Sequence, residues 1–148
     1  MTDRPREARL TQVAALPWRR KRNGSLSILL VTSRTNGKWM LPKGWPMPGK
    51  SDAEAAQQEA KEEAGVTGII AEAAIGSYYY IREEADESTS PAQALVFSLQ
   101  VTGKLSRWQE KGQRRRRWFS AEDAAAAVYE ADLARFLGNV AAGRIYLS

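Results

Sequence analysis

The chain of 148 residues, with 43% hydrophobic and 26% charged residues, is long enough to bury the core of one globular domain. It contains neither cysteine nor histidine, which excludes disulfide bridges, thiol or imidazole catalysis, and the zinc and haem sites that need those ligands. The 22 basic residues exceed the 17 acidic ones, and the net charge of +5 favours anionic partners. Any catalysis must therefore depend on carboxylates, lysines, arginines, hydroxyl groups or a bound hard metal ion.

The sequence lacks the apolar segments of membrane-bound and secreted proteins. The longest strongly apolar run, residues 26–31, is far too short to cross a bilayer. The N-terminus lacks the apolar region of a signal peptide. We therefore expect a cytoplasmic protein that folds as a single domain over residues 1–148, with a frayed N-terminus at residues 1–7.

The first two predicted elements are strands that form a hairpin. Residues 10–18 predict a strand, which we expect Pro17 and the basic run after it to end. The sequence Asn-Gly-Ser at 23–25 predicts a turn. The aliphatic and β-branched segment Leu26–Thr32 predicts the second strand.

A loop and a helix follow the hairpin. The loop at 42–49 is dense in proline and glycine, so no helix can pass through it. Ser51 and Glu54 have the spacing of a capping box, and Gly65 suits the left-handed position that ends a helix. Together with the alanine- and glutamate-rich composition between them, these signals predict a helix over Asp52–Ala64.

The second half of the chain predicts further strands and then two helices. No internal repeat or linker divides it, in keeping with one domain. Ser120 and Asp123 repeat the capping pattern at the start of the first of these helices. The predicted elements are strands at 66–74, 75–81, 94–101 and 117–119, an acidic loop at 82–91, and helices at 121–129 and 132–142.

Three glutamates on the helix predicted at Asp52–Ala64 form the most informative pattern. Glu59, Glu62 and Glu63 occupy positions i, i+3 and i+4, so they project from one side of the helix. Such a string is consistent with a solvated face, or with a site for a hard divalent cation that takes oxygen ligands. The glycine-rich loop directly before the helix favours the cation, because glycine lets the backbone approach a ligand closely.

Segment 44–66 resembles the Nudix box, whose pattern is Gly-x5-Glu-x7-Arg-Glu-U-x-Glu-Glu-x-Gly-U, with U aliphatic. Two of its nine fixed positions differ, because Lys50 replaces a glutamate and Gln58 replaces an arginine. The other seven positions match, at Gly44, Glu59, Ala60, Glu62, Glu63, Gly65 and Val66.

Segments outside the box extend the resemblance. WMLPKG, LLVTSR and RRRRWFSAEDAAAAV resemble the diphosphoinositol polyphosphate phosphohydrolase branch of the Nudix family. Residues 10–137 can be placed on that branch. The resemblance implies an α/β fold of the family type, an α/β/α sandwich with a mixed central sheet, which agrees with the predicted order of elements.

The resemblance implies a metal-dependent hydrolase that uses Mg²⁺ or Mn²⁺. Glu59 and Glu63 would be metal ligands together with Glu62, and a backbone carbonyl of Lys43 or Gly44 would be a further ligand. Glu62 would take the proton of the attacking water, with Glu59 as the rival for that role. Metal ions and arginines would neutralise a polyanionic substrate without histidine.

The two altered motif positions are expected to weaken metal binding without abolishing activity. The family's arginine pairs with glutamates in a bidentate manner that Gln58 cannot reproduce, although Gln58 can donate one neutral hydrogen bond. Lys50 removes a carboxylate. Because both positions change together, no charge need be left without a partner.

Several basic residues are candidates for binding the substrate phosphates. We predict Arg9, Arg34, Lys43, Arg115 and Arg116 for this role. The run at 114–117 fits phosphate binding or a solvated, salt-bridged loop about equally. If it forms a strand, alternate side chains face opposite ways, so at most two of them reach the site.

The predicted function is hydrolysis of a phosphoanhydride bond in a nucleoside polyphosphate, a dinucleoside polyphosphate or an inositol pyrophosphate. The alternatives are removal of pyrophosphate from RNA 5′ ends and a non-catalytic sensor of nucleotide or RNA. A pure sensor would have no chemical need for the three glutamates. We expect a small-molecule substrate, nucleic acid only under the second hypothesis, no membrane partner, and a monomer or homodimer.

Overall fold

The computed structural model describes residues 10–148, so the predicted fraying of residues 1–7 and the candidate Arg9 lie outside the described residues. The strands are β1 (Thr11–Arg20), β2 (Leu26–Thr32), β3 (Trp39–Met40), β4 (Lys43–Gly44), β5 (Val66–Ile70), β6 (Gly76–Glu83), β7 (Thr89–Lys104) and β8 (Arg116–Ser120). The helices are α1 (Asp52–Ala64), α2 (Ala121–Ala127) and α3 (Ala131–Ala141). None of the helices in the described part of the chain is long and apolar enough to span a membrane.

Strand β1 lies in the middle of one mixed sheet. It pairs with β7 in parallel and with β2 in an antiparallel hairpin, as predicted. The strand order is β3-β2-β1-β7-β5, while β4 pairs with β1, β6 with β7 and β8 with β2. The predicted mixed central sheet is confirmed.

Alternate side chains of β1 enter two separate cores on the two faces of the sheet. Val13 and Ala15 pack with the buried alanines of α1 on one face. Ala14, Leu16 and Trp18 pack on the other face, against apolar residues of α2 and α3. The predicted α/β/α sandwich is therefore confirmed.

The prediction that Pro17 ends the first strand is wrong, because β1 continues to Arg20. Residues 13–15 bond to the β4 segment, and pairing with β2 begins at Trp18. Pro17, which has no amide N–H to donate, therefore lies between the part of β1 that bonds to the β4 segment and the part that pairs with β2. On the other side Pro17 stays in register with Leu99 of β7.

Half of the predicted loop at 82–91 is strand, since β6 and β7 pair out to Glu83 and Thr89. The turn is only residues 84–88, with Glu87 at a φ of 71°. The hairpin tip is mostly exposed, so it lacks the alternation that reveals a half-buried strand. Conversely, the strand predicted at 66–74 ends at Ile70, shortly after a register shift between Thr67 and Gly68.

Candidate active site

The site begins at the pairing of β4 with β1. Val13 lies opposite Gly44 and Ala14 opposite Lys43. Because Val13 and Ala14 are buried in the core, this pairing fixes the positions of the two loop residues. Gly44 has no side chain, and a Cβ built at this position would overlap with the carboxylate of Glu59. Glycine therefore lets the Glu59 carboxylate lie directly against the loop backbone.

Helix α1 has the bounds that its end signals predict. The Ser51 Oγ accepts from the Glu54 backbone N–H at 3.1 Å, and the Glu54 Oε1 accepts from the Ser51 backbone N–H at 2.8 Å. Gly65 ends the helix at a φ of 65°. With both ends fixed, the glutamates near its C-terminal end face the loop of Gly44.

Glu59 and Glu63 are brought together in the site. Their carboxyl groups share a hydrogen bond, and the Glu63 side chain is only 5% exposed. The Glu63 Oε1 also accepts from the backbone N–H of Lys43 at 3.3 Å. Burial raises the pKa of Glu63 to about 8, against the opposing effect of the Arg114 guanidinium, and burial also raises the pKa of Glu59.

Glu62 has a separate partner on its own helix. The Nε2 of Gln58, one turn earlier, donates to the Glu62 Oε2 at 2.7 Å. The neutral hydrogen bond expected of Gln58 is therefore present. Lys50, the other altered motif position, is exposed and lies in a depression beside Gln58 and Lys61.

The segment between β7 and β8 supplies two residues to the site: Glu110, which the sequence prediction did not name, and Arg114, which it considered only as part of the basic run at 114–117. The segment binds the end of α1 through its backbone, because the N–H of Leu105 donates to the Gly65 carbonyl and that of Glu110 to the Glu62 carbonyl. Arg114 pairs with Glu110 at 2.6 Å and approaches the Glu63 Oε2 at 3.7 Å. The segment thus adds one cation and one carboxylate to the motif glutamates.

The remaining predicted arginines are placed differently from one another. Arg116 donates to the backbone carbonyls of Ala64, Gly65 and Leu105, and its guanidinium lies 3.8 Å from the centroid of the Trp108 ring. These contacts assign Arg116 to the C-terminal end of α1. Arg115 is exposed and its guanidinium lies 5.2 Å from the Trp39 ring centroid, so it does not join Glu59 and Glu63.

A cavity of about 210 Å³ adjoins the carboxylates. Lys43 and Arg114, which contact Glu63, lie in its wall together with Arg34, Arg82 and Glu130. Burial lowers the pKa of Lys43, which Glu130 opposes, and the Lys43 Nζ lies 4.7 Å from the Tyr80 ring centroid. The cavity therefore presents several cations to an anionic ligand.

A larger and mostly apolar groove of about 600 Å³ continues from this cavity. Tyr80, Ile81, Tyr129 and Glu130 line both spaces, and Tyr79 lines the groove. Tyr129 is 52% exposed, so its ring is available to a ligand. Tyr78, by contrast, is fully buried in the core.

The donor set fits a hard divalent cation. Within residues 10–148, no three acidic or other ligating side chains already form a metal cluster. The carboxyl groups of half-buried Glu59 and buried Glu63 nevertheless share a hydrogen bond. Because Mg²⁺ usually takes one or two carboxylates together with water and substrate phosphates, this pair is sufficient for such an ion.

Comparison with known proteins places the chain among relatives of one kind. The NUDIX domain model matches residues 9–139. Nudix hydrolase 12, mitochondrial, from Arabidopsis thaliana is 34% identical over 102 residues, which cover 67% of this chain and 50% of that protein. Diphosphoinositol polyphosphate phosphohydrolase 2 from Rattus norvegicus is 31% identical over 121 residues, covering 80% and 63%. The resemblance inferred from the sequence is thus confirmed.

A solved structure shows the same fold. The C. elegans Ap4A hydrolase, in a binary complex, superposes with a TM-score of 0.66 and 23% identity over 91% of this chain and 97% of that one. The chain spans about half the length of the plant relatives that it matches.

Proposed function

The chain belongs to the Nudix family, and from that premise we propose that it hydrolyses a phosphoanhydride bond in a nucleoside or dinucleoside polyphosphate. The observation that carries this proposal is the position of the Glu59–Glu63 carboxyl pair beside a cationic cavity. A polyphosphate chain fits this site, because a metal ion held by the carboxyl pair would neutralise part of its charge and the cations of the cavity would neutralise the rest.

We assign the binding of Mg²⁺ or Mn²⁺ to Glu59 and Glu63, with a backbone carbonyl of Lys43 or Gly44 as a further ligand. When bound, such an ion neutralises phosphate charge and lowers the pKa of water. Lys43 and Gly44 are suited to this role because β4 holds their backbone against the same carboxylates.

Glu62 is the candidate that accepts the proton of the attacking water, and Glu59 is the alternative. Gln58 orients the Glu62 carboxylate through one oxygen, which leaves the other oxygen to the water. In the reaction, the water oxygen forms a bond to phosphorus as the anhydride P–O bond breaks. The leaving phosphate carries away the electron pair, and two phosphate products result.

The substrate phosphates beyond the reacting centre are assigned to Lys43, Arg34 and Arg82, which line the cavity. Arg34 is exposed, donates to the Gln113 Oε1 at 3.0 Å and lies 4.0 Å from the Glu110 Oε1. Arginine suits this task because its fork binds phosphate oxygens in pairs.

The groove favours a nucleoside over an inositol pyrophosphate. A base has a flat apolar face that Tyr129 and Ile81 can cover, whereas a phosphorylated inositol is charged on every side. The Glu130 carboxylate, which lies between the cavity and the groove, would repel phosphates placed there and accept hydrogen bonds from sugar hydroxyls or a base amine.

The test is a product assay with the purified chain and Mg²⁺ or Mn²⁺. The substrates are a dinucleoside tetraphosphate, a nucleoside triphosphate, an inositol pyrophosphate and a 5′-triphosphate RNA. We expect the highest kcat/KM with the dinucleoside or nucleoside polyphosphate, and incorporation of isotopically labelled water oxygen into one product.

Variants assign the activity to the site. Glu59→Gln and Glu63→Gln should each lower kcat by about 100-fold or more, because each removes a charge that the metal ion needs. Glu72→Gln, an exposed glutamate outside the site, is the matched control. Wild-type rates in both site variants would contradict the assignment, and preference for RNA or an inositol pyrophosphate would replace the proposed substrate.

A further inference from the structure

Arg114 is held in the site from three directions. Its Nε donates to the Glu110 Oε1 at 2.6 Å, one terminal nitrogen donates to the Thr32 carbonyl at 3.0 Å, and the other lies 3.7 Å from the Glu63 Oε2. The side chain is 7% exposed. The backbone N–H of Arg115 also donates to the Thr32 Oγ1 at 2.8 Å, which fixes the chain next to it.

One arginine, Arg114, lies among three glutamates. In addition to burial, Glu110 raises the pKa of both Glu59 and Glu63, whereas the positive charge of Arg114 lowers both pKa values. Within the described residues, Arg114 is the arginine whose guanidinium contacts a motif glutamate. Gln58, where the motif has an arginine, contributes a hydrogen bond to Glu62 but no charge.

We infer that Arg114 is the positioning residue for Glu63, and that it replaces the arginine missing from position 58. The inference rests on the proposed function for its catalytic consequence. In the motif, one arginine on the helix would both orient the glutamates and supply a positive charge. In this chain two residues divide these tasks. Gln58 orients Glu62, while Arg114 reaches Glu63 from the segment between β7 and β8 and supplies a positive charge beside it.

The planar fork of arginine explains why this residue type is needed. A guanidinium can face three groups at once: Arg114 donates hydrogen bonds to Glu110 and to the Thr32 carbonyl, and forms an ion pair with Glu63 at 3.7 Å. A lysine ammonium would keep the charge but would not hold these three groups in one plane. The Glu63 carboxylate is thus fixed between the Lys43 backbone N–H and the Arg114 side chain.

The test is a double-mutant cycle with Arg114→Gln, Gln58→Arg and both changes together. Arg114→Gln should lower kcat by about 100-fold, as expected for a misplaced catalytic group, with KM changed much less. Arg114→Lys should retain part of the rate. Gln58→Arg alone should lower kcat, because it replaces the hydrogen bond that orients Glu62. The double variant should nevertheless have a higher kcat than Arg114→Gln, because the helix then carries its own cation beside the glutamates.

A second readout does not depend on catalysis. In the metal-free protein with chelator, Arg114→Gln should lower the melting temperature by about 5 °C or more, because the Glu110 carboxylate loses its ion-pair partner and the neighbouring glutamates lose the cation beside them. Gln58→Arg should restore part of that loss. Arg117→Gln, an exposed arginine of the same run, is the matched control and should leave both readouts unchanged.

The outcomes separate this inference from the proposed function. Additive effects in the cycle, with the double variant no better than Arg114→Gln, would overturn the role of Arg114. An inactive wild-type chain would overturn the proposed function, while the coupling in melting temperature would still decide whether Arg114 and position 58 share one task. A rise in KM with unchanged kcat would instead make Arg114 a substrate-binding residue.

Discussion

The backbone of Gly44 lies against the carboxylate of Glu59, close enough that a Cβ on residue 44 would overlap with it. This contact joins the loop and the helix of the motif. A Cβ atom on residue 44 would displace the Glu59 side chain from this contact.

Gly44→Ala should therefore lower kcat by about tenfold to 100-fold, because Glu59 must turn away from the loop to make room. The effect should appear in kcat and in the concentration of metal ion needed for half-maximal rate. Gly112→Ala is the matched control, since a Cβ there meets no other atom within 4 Å. Normal activity in Gly44→Ala would show that the Glu59 position is adjustable.

The stability of the metal-free protein should fall as the pH rises from about 4.5 to about 8. In this window the folded protein keeps a proton on Glu63, whose pKa is raised to about 8, while the unfolded chain with its ordinary value of 4.5 has lost it. Each pH unit should cost at most about 1.4 kcal/mol per proton. Chemical unfolding with chelator measures this slope, and Glu63→Gln should flatten it, whereas Glu72→Gln should not.

Tyr129→Ala should raise KM for a dinucleoside polyphosphate by about fivefold to tenfold, corresponding to the loss of one stacked aromatic ring. Hydrolysis of inorganic tripolyphosphate, which has no base, should change little. Tyr146→Ala, 75% exposed and outside the groove, is the control. Equal effects on both substrates would remove the groove from base binding.

Arg116→Gln should lower the free energy of unfolding by about 2 kcal/mol, because two backbone carbonyls at the end of α1 and that of Leu105 lose a charged donor. Arg107→Gln, an exposed arginine in the same part of the chain, provides the comparison. Denaturant titration gives both values. A higher KM for long polyphosphates with unchanged stability would return Arg116 to the phosphate-binding role predicted from the sequence.

Local signals predicted α1 and its glutamates, because Ser51, Glu54 and Gly65 mark both helix ends within the sequence itself. Arg114 and Glu110 lacked such a signal, since their segment has no hydrophobic periodicity and reaches the site through backbone bonds to α1.

The sequence alone also could not predict which of the arginines at 114–117 face α1, because their orientation depends on pairing with a distant strand. Alternation puts residues 114 and 116 on one face and 115 and 117 on the other. Which face meets α1 depends on the register of β8 with β2, where Arg116 lies opposite Val31. That register cannot be read from the basic run alone.

The central position of β1 has a consequence for how this site can change during evolution. The strand that sets Val13 opposite Gly44 is held by side chains packed in both cores, whereas Glu63 adds only one hydrogen bond to the backbone of β4. Loss of a single glutamate is therefore expected to leave the cavity and groove in place. An inserted residue in β1 would exchange the two faces and destroy both cores together. A variant that lacks a motif glutamate is thus expected to keep the cationic cavity and the groove.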